Sequence, residues 1–160
     1  MSYVKIVNGN LLDANEDYLV HQCNCISTHA KALAEQIFNK FDYANIYKNR
    51  INGDKNTYSV PGTIEILGNE LDQRYIINIY SQYYPALAKY NNDNAQKRIK
   101  WFKECLHKIS EIENIINDNK TIAMPFNIGC GAAGGDWATY YDLINNFAEQ
   151  NKIYVTLYKL

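Results

Sequence analysis

The glycine-rich stretch at residues 121–150 constrains the fold more than any other part of the sequence. It opens with the apolar run Ile122–Met124 and Pro125, passes through a glycine segment that ends at Asp136, and continues with apolar residues at helical spacing. This pattern predicts a strand, a glycine loop and a helix, in that order. The glycines are Gly129, Gly131, Gly134 and Gly135, and the apolar helix positions are Trp137, Tyr140, Tyr141, Ile144 and Phe147.

Such a loop has two interpretations. Backbone N–H groups in a glycine loop at the carboxyl end of a strand can approach an anion closely, and the following helix adds the positive end of its dipole. Phosphate, or the pyrophosphate of a nucleotide, is then the favoured ligand. Alternatively, the loop is a tight structural turn and Asp136 only caps the helix. Four glycines are more than a cap requires, which favours the anion loop.

Length and composition limit the class of protein. The chain has 160 residues, 47% of them apolar, and a formal net charge of −1, which indicates one globular domain over residues 1–160. A dedicated nucleic-acid binder would usually be basic. The sequence MSYVKIVNGN contains no apolar signal region, and no stretch reaches membrane-spanning length. We therefore expect a cytoplasmic protein without membrane association, and a monomer.

The cysteines indicate reduced thiols rather than a disulfide framework. Cys23 and Cys25 share one face of a predicted strand, so a zinc site is conceivable, but no CxxC pair supports it. Buried thiols are commoner than zinc ligands in this setting. We predict no metal site and no cofactor. The other two cysteines are Cys105 and Cys130.

Hydrophobic patterns predict alternating strands and helices along the chain. The predicted strands are Tyr3–Val7, Tyr18–Cys25, Thr63–Leu67, Tyr75–Ser81, Ile122–Met124 and Ile153–Leu157, and the predicted helices are Ala30–Phe41, Ala95–Asn117 and the one that follows Asp136. Ser27 or Thr28 is the expected cap of the first helix. The short connection at residues 68–73 favours a hairpin. This order predicts a three-layer α/β/α domain around a mixed, mostly parallel sheet.

Ligands of open α/β sheets bind outside the carboxyl ends of the strands. Three loops meet that condition, and they comprise residues 24–31, 82–94 and 126–136. Asn24 can offer a donor and an acceptor to a ribose hydroxyl, or it can tie its own turn to backbone groups. His21, within a strand, fits a core histidine. His29 and Lys31 could meet phosphate or could simply be solvated.

Two further interpretations of the glycine loop fail. Residues 129–134 satisfy G-x-G-x-x-G, but the acidic ribose ligand expected about 20 residues later is missing from the last strand. The unit also lies at the end of the chain, so a dehydrogenase is disfavoured. A phosphatase with Cys130 as nucleophile would need an arginine in this loop to clamp the phosphate, and the loop contains none.

Three segments together resemble the macrodomain, the ADP-ribose-binding fold, over nearly the whole chain. Residues 7–12 (VNGNLL) resemble its opening strand and turn, and residues 20–25 (VHQCNC) resemble its second motif. Residues 128–137 (IGCGAAGGDW) closely resemble a second phosphate loop. That loop is the one found in the branch that includes ADP-ribose-1''-phosphate phosphatases and ADP-ribosyl glycohydrolases.

The resemblance implies that the chain binds ADP-ribose or a close derivative and hydrolyses its distal end. The implied substrates are ADP-ribose-1''-phosphate, or an ADP-ribosyl adduct on protein or nucleic acid. The alternative is a non-catalytic reader or sponge for an ADP-ribose-like nucleotide. The implied catalytic residues are Asn24, at the distal ribose, and Asp136, at the reacting end. The implied ligand-binding residues are Asn10 near the adenine, Leu11, Thr28, His29, Lys31, Gln82, Tyr83, Phe126, Ile128, Gly129, Cys130, Gly131, Ala132, Ala133, Gly134 and Gly135.

Two departures from the family pattern bear on the site. The first loop, usually glycine-rich, carries Ala30, Lys31 and Ala32, which restricts the approach of its backbone to a ligand. The lysine that some glycohydrolases carry after the fourth strand is replaced by Ser81 or Gln82. Direct attack by water is therefore the more economical mechanism.

The loop at residues 82–90 is expected to form a wall or lid over the distal ribose. It carries Tyr83, Tyr84 and Tyr90, whose rings can cover a sugar while their hydroxyls stay in water. The alternative is that these rings pack on the long helix and never meet a ligand.

Overall fold

A six-stranded sheet forms the centre of the molecule in the computed structural model, which describes residues 2–160. The strands are β1 (Val4–Asn8), β2 (Tyr18–Cys23), β3 (Ile64–Leu67), β4 (Tyr75–Tyr80), β7 (Ile122–Pro125) and β8 (Val155–Lys159), in the order β1-β8-β7-β2-β4-β3. Strands β3 and β4 pair antiparallel, and the other neighbouring pairs are parallel. The predicted mixed, mostly parallel sheet and the predicted hairpin are confirmed.

Helices cover both faces of this sheet and complete the three layers. They are α1 (Ala32–Lys40), α2 (Ala95–Ser110), α3 (Glu113–Asn117) and α4 (Trp137–Asn151), and the short strands β5 (Lys89–Tyr90) and β6 (Asp93–Asn94) form a separate ribbon before α2. Several short 3-10 turns lie between residues 42 and 57. None of the helices within residues 2–160 is long and apolar enough to cross a membrane.

Alternation along the strands divides the core in two. Val20 and Ile77 face the cluster formed with α2 and α4, whereas Leu19 and Ile76 face the cluster formed with α1. All four are fully buried, as expected for strands that are covered on both faces. The carboxyl ends of β2, β4 and β7 therefore meet along one edge of a sheet that is rigid from both sides.

Two predictions about the helices are wrong. The first helix begins at Ala32, and its N-cap is Lys31 without a side-chain hydrogen bond, so neither Ser27 nor Thr28 caps it. The Ser27 amide instead donates to Asn24 Oδ1 in the preceding turn. That turn delays the start of the helix.

The long predicted helix at residues 95–117 is broken. Its first part ends at Ser110, and Ile112 adopts an extended conformation before α3 begins at Glu113. The break turns Ile115, which is off the apolar stripe of α2, into the core, while Ile116 is half-exposed. Burial of Ile115 is the packing gain that accompanies the interruption.

Candidate functional site

A cleft lies at the carboxyl edge of the sheet. Its larger part is a cavity of about 600 Å³ between the ends of β2, β4 and β7, and a second cavity of about 520 Å³ adjoins it toward β1 and β8. The two share Ala32, Leu33, Pro125, Phe126 and Asn127 as lining residues, so they form one elongated space. Cavities of this size accommodate organic ligands.

The glycine loop after β7 is closed by its own backbone hydrogen bonds. The Gly135 amide donates to the Gly129 carbonyl and the Gly134 amide donates to the Gly131 carbonyl, both at 3.0 Å. The amides of Gly131, Ala132 and Ala133 donate no hydrogen bond to any other described residue, and all three residues line the larger cavity. Such a row of free amides is typical of an anion-binding turn.

The glycines of this loop serve different purposes. A Cβ atom on Gly135 would lie 2.6 Å from the Gly129 carbonyl oxygen, and one on Gly129 would lie 2.6 Å from the Tyr140 ring. These two glycines let the loop fold tightly against α4. A Cβ atom on Gly131 would meet nothing within 4 Å, so space beside the turn is open there.

The beginning of α1 supplies a second set of free amides. Ala32, Leu33 and Ala34 all line the larger cavity, and their amides, like those at any helix start, have no partner within the helix. No side chain caps this end. The positive end of the α1 dipole therefore faces the cavity. Ala32 adopts φ +52°, a left-handed conformation that an alanine disfavours.

The other helix near the cleft, α4, is capped differently. Asp136 Oδ2 accepts hydrogen bonds from the Thr139 amide at 3.2 Å and the Thr139 hydroxyl at 2.7 Å. A carboxylate thus already occupies the helix start. Asp136 is exposed and is not among the residues that line either cavity. The predicted contribution of the α4 dipole to an anion site therefore stays a prediction, and it is the uncapped start of α1 that lines the larger cavity.

Asn24 divides its side-chain groups between its own turn and the cavity. Its Oδ1 accepts from the Ile26 amide at 3.1 Å, the Ser27 amide at 2.8 Å and Arg50 Nη1 at 3.4 Å. Three donors around one atom fix the orientation of the amide, since the flipped form would place NH2 against them. The Nδ2 group remains to donate into the cavity, which Asn24 lines.

Arg50 and Tyr47 hold this turn from behind. Arg50 donates to the Asn24 carbonyl at 2.8 Å and the Ser27 carbonyl at 3.0 Å, and its guanidinium lies 4.4 Å from the centre of the Tyr47 ring. The Tyr47 hydroxyl accepts from the Asn24 amide at 2.8 Å. Arg50 is buried and makes no ion pair with a described carboxylate. Its charge is held by carbonyl oxygens and aromatic faces.

A directional chain of amides forms the floor between β2 and β4. Ser81 Oγ donates to Gln22 Oε1, Gln22 Nε2 donates to Gln82 Oε1, and Gln82 Nε2 donates to the Tyr84 carbonyl, at 2.5, 2.5 and 2.9 Å. Gln22 and Gln82 both line the larger cavity. The floor is therefore polar, uncharged and fixed in orientation.

Comparison with solved structures identifies the fold. No protein-family model matches this chain, and no curated protein matches it significantly. The macrodomain of Mycobacterium tuberculosis DarG superposes with a TM-score of 0.70 at 20% identity, covering 97% of this chain and 96% of that one. This chain has the macrodomain fold.

Two other solved structures of similar fold are named as complexes with ADP-ribose. Thermosipho africanus DarTG in complex with ADP-ribose matches with a TM-score of 0.69 at 17% identity, over 98% of this chain and 41% of that one. The Trypanosoma brucei macrodomain in complex with ADP-ribose matches with a TM-score of 0.64 at 11% identity, over 98% of this chain and 63% of that one. At these identities the likeness concerns the fold.

The fold gathers most of the predicted site residues around the cleft. The larger cavity is lined by Asn24, His29, Lys31, Gln82, Phe126, Ile128, Gly129, Gly131, Ala132 and Ala133, and the second by Asn10, Leu11 and Phe126. Six predicted residues lie outside the lining of both cavities: Thr28, Tyr83, Cys130, Gly134, Gly135 and Asp136. Gly134 and Gly135 nevertheless shape the anion-binding turn.

The wall after β4 is present, but tyrosine rings do not form it. Pro85 and Ala86 line the cavity beside Gln82. Tyr83 packs against the core cluster on the α1 side, and its ring centre lies 4.8 Å from that of Tyr84. The expected position of the loop at the cleft is thus observed, and the expected cover of tyrosine rings is not.

Few ionisable side chains line this cleft. His29 and Lys31 line the larger cavity and are exposed. No aspartate or glutamate side chain within residues 2–160 lines either cavity. Burial, and then the nearby charge of Asp136, raises the pKa of the Cys130 thiol to about 11, so no reactive thiolate forms in the glycine loop. No cluster of metal-ligating side chains occurs in the described part of the chain.

Several residues that line the cavities were not predicted from the sequence. Gln22 lies inside a strand, Tyr47 lies in an irregular segment, and Asn127 precedes the glycines. The alternation of β2 places Gln22 and Asn24 on the same face, which is the one signal that could have paired them. The remaining lining residues missed are Gly9, Ser27, Leu33, Ala34, Gln36, Pro85, Ala86, Pro125, Tyr158, Lys159 and Leu160.

Proposed function

We propose that this protein binds ADP-ribose or a close derivative in the joined cleft. The observation that carries the proposal is that two sets of partnerless backbone amides line one cavity. One set belongs to the turn at residues 131–133 and the other to the start of α1. Two adjacent anion sites suit a pyrophosphate better than a single phosphate.

The parts of the cleft on either side of these amides suit the two halves of such a ligand. Asn24 Nδ2 and the Gln22–Gln82 floor offer oriented polar groups to sugar hydroxyls at one end. At the other end, Asn10 lines the second cavity together with the half-buried Phe126 ring, which offers an apolar face to a base. ADP-ribose is the ligand named in two solved structures of similar fold, Thermosipho africanus DarTG and the Trypanosoma brucei macrodomain.

Gly131→Ala tests this proposal with little expected cost to folding. The position has no positive φ, and the added methyl meets nothing within 4 Å in the free protein. In the complex, the methyl would occupy space beside the free amides, so calorimetry should show ADP-ribose binding at least about tenfold weaker, the worth of one hydrogen bond to a charged group. The thermal midpoint should stay within a few degrees.

Gly53→Ala is the matched control. Its added methyl also meets nothing within 4 Å, but Gly53 has φ +84° and lies outside both cavities. It should lower stability by about 1 kcal/mol and leave ADP-ribose affinity unchanged. An unmodified protein that fails to bind ADP-ribose at millimolar concentration would contradict the proposal. Preference for NAD over ADP-ribose would indicate a dinucleotide site instead.

Hydrolysis of the distal end is the second candidate function, supported by the resemblance of residues 128–137 to the phosphate loop of hydrolytic macrodomains. The lack of an aspartate or glutamate in the described lining weighs toward binding without turnover, as in a reader or sponge. Incubation with ADP-ribose-1''-phosphate and with ADP-ribosylated protein or DNA separates the two. Multiple turnovers indicate an enzyme, whereas retention of intact ligand at one equivalent indicates a binding module.

A further inference from the structure

A buried ion pair lies behind the cleft, between α2 and the ribbon that precedes it. Arg98 Nε is 2.7 Å from Asp93 Oδ1 and Arg98 Nη2 is 2.8 Å from Asp93 Oδ2, so the guanidinium grips the carboxylate with two parallel bonds. Asp93 is 0% exposed and Arg98 is 2% exposed. Neither residue lines a cavity.

The pair fixes the backbone of the cavity wall. Asp93 Oδ2 accepts from the amides of Tyr83 at 3.2 Å and Tyr84 at 2.8 Å. Arg98 donates to the carbonyls of Tyr84 at 3.1 Å and Ala86 at 2.7 Å. Ala86, which lines the cavity, adopts φ +64°, a conformation that persists only when its surroundings impose it.

The same arginine also reaches the anion-binding turn. Arg98 Nη1, which donates to Ala86, lies 3.4 Å from the Ala133 carbonyl. A second link runs beside it, because a Cβ atom on Gly134 would lie only 2.5 Å from Leu87 Cδ2. The Leu87 methyl therefore rests directly on the turn. Wall and turn, which come from distant parts of the chain, meet at Arg98 and Leu87.

We propose that the Arg98–Asp93 pair is a positioning unit that sets the spacing between the wall at residues 83–87 and the turn at residues 131–134. This inference rests on the proposed function, since that spacing determines how the ligand beyond its pyrophosphate is held. Loosening the pair weakens ADP-ribose more than AMP, because AMP lacks the distal ribose. Gln82 donates to the same Tyr84 carbonyl as Arg98, so a displacement of this carbonyl also shifts the Gln82 side chain in the cavity floor.

A role in stability alone does not require this arrangement. A buried ion pair often contributes little net stability, because desolvation of both charges offsets their attraction. Here the remaining hydrogen-bonding groups of Arg98 and Asp93 contact backbone groups of the two segments beside the cavity. Arg74 provides a comparison: it donates to the carbonyls of Ala14 at 2.5 Å and Glu16 at 2.6 Å, away from the cleft.

The test is Arg98→Lys, which keeps the charge opposite Asp93 but cannot make the fork or reach both segments. Calorimetry should show the ratio of ADP-ribose to AMP affinity falling about tenfold, the worth of one charged hydrogen bond. Hydrogen exchange of the ligand-free protein should be faster in residues 83–87 and 131–134 together. Arg74→Lys, the matched control, should lower the thermal midpoint while leaving the affinity ratio and both exchange rates unchanged.

Equal losses for ADP-ribose and AMP, or faster exchange in only one of the two segments, would overturn the positioning role. If the parent protein does not bind ADP-ribose, the proposed function fails, and the exchange measurement still decides whether Arg98 joins wall and turn. Leu87→Ala covers the case in which Arg98→Lys does not fold, because Leu87 is 56% exposed. Unchanged exchange in both segments of Leu87→Ala would then contradict the proposed link.

Discussion

Individual asparagines at the cleft divide their hydrogen bonds between their own turns and the space beside them. Asn10 Oδ1 accepts from the Leu12 amide at 3.0 Å, as Asn24 Oδ1 accepts from the Ile26 and Ser27 amides. In each case the oxygen is used locally and the NH2 group is left for a ligand. The alternatives of ribose contact and turn formation for Asn24 are therefore compatible.

Two variants of Asp136 distinguish its role as a helix cap from a role as a catalytic base. Asp136→Asn keeps an oxygen that can accept from the Thr139 amide, so stability should be unchanged. Asp136→Ala should lower the free energy of unfolding by about 1 kcal/mol, as loss of a helix cap does. Because Asp136 is outside the lining of both cavities, neither variant should alter ADP-ribose affinity.

Denaturant titration and calorimetry check these expectations for Asp136. If the parent protein shows turnover, Asp136→Asn should retain its rate. A fall of about 10² or more in that rate, without a change in affinity, would assign Asp136 to general-base catalysis after all.

Among the elements, α1 begins in a conformation that its sequence disfavours. Its first residue, Ala32, has φ +52° and lines both cavities. Ala32→Gly should relieve this conformation and stabilise the protein by up to about 1 kcal/mol, since the left-handed penalty exceeds the added chain entropy of glycine. Removal of the methyl also lets a ligand approach the free amides, so ADP-ribose affinity should rise.

The same helix offers a matched control for Ala32→Gly. Ala34→Gly lies within α1 at ordinary helical φ, so it should cost about 1 kcal/mol by helix propensity. Thermal unfolding should therefore show higher stability for Ala32→Gly and lower stability for Ala34→Gly. Calorimetry should show the rise in ADP-ribose affinity for Ala32→Gly. A loss of both stability and affinity in Ala32→Gly would contradict the account of this helix start.

The stability of the whole molecule should depend on pH through His21. The ring is buried in the central strand, its Nε2 is 2.7 Å from Asn78 Oδ1, and burial lowers its pKa to about 4. The Asn78 amide donates to the Ala44 carbonyl at 3.0 Å, so its Oδ1 accepts from a neutral His21 protonated at Nε2. Protonation of this ring in the folded state would place a charge in the core.

The direction of the pH effect follows from this lowered pKa. Between about pH 6.5 and pH 4, the unfolded chain binds a proton at His21 that the folded protein does not, so stability falls as pH falls through this window. The expected contribution is a loss of about 2 kcal/mol at pH 5 relative to pH 8. His21→Gln should flatten this slope in urea titrations, whereas His29→Gln, at an exposed position, should not. An identical slope in His21→Gln would contradict the assignment.

Local chemistry determined most of the architecture and much of the anion site. Period-two and period-3.6 apolar patterns predicted each sheet strand, helices α1 and α4 to within a few residues, and the start of α2, and the short connection predicted the β3–β4 hairpin. The turn with free amides follows from the closely spaced glycines, because positive φ at Gly129 and Gly134 and the close packing of Gly129 and Gly135 on Tyr140 require three of the four.

Tertiary contacts decided the remaining features of the site, because these contacts join residues that lie far apart along the chain and that no local sequence pattern pairs. Nothing in the sequence indicates that Arg98 contacts the Ala133 carbonyl, 35 residues further along the chain. The free start of α1 depends on Asn24, whose oxygen draws the Ser27 amide into the preceding turn. Asp136 could be predicted as a cap from sequence, but only packing decided that its carboxylate stays outside the cavity lining.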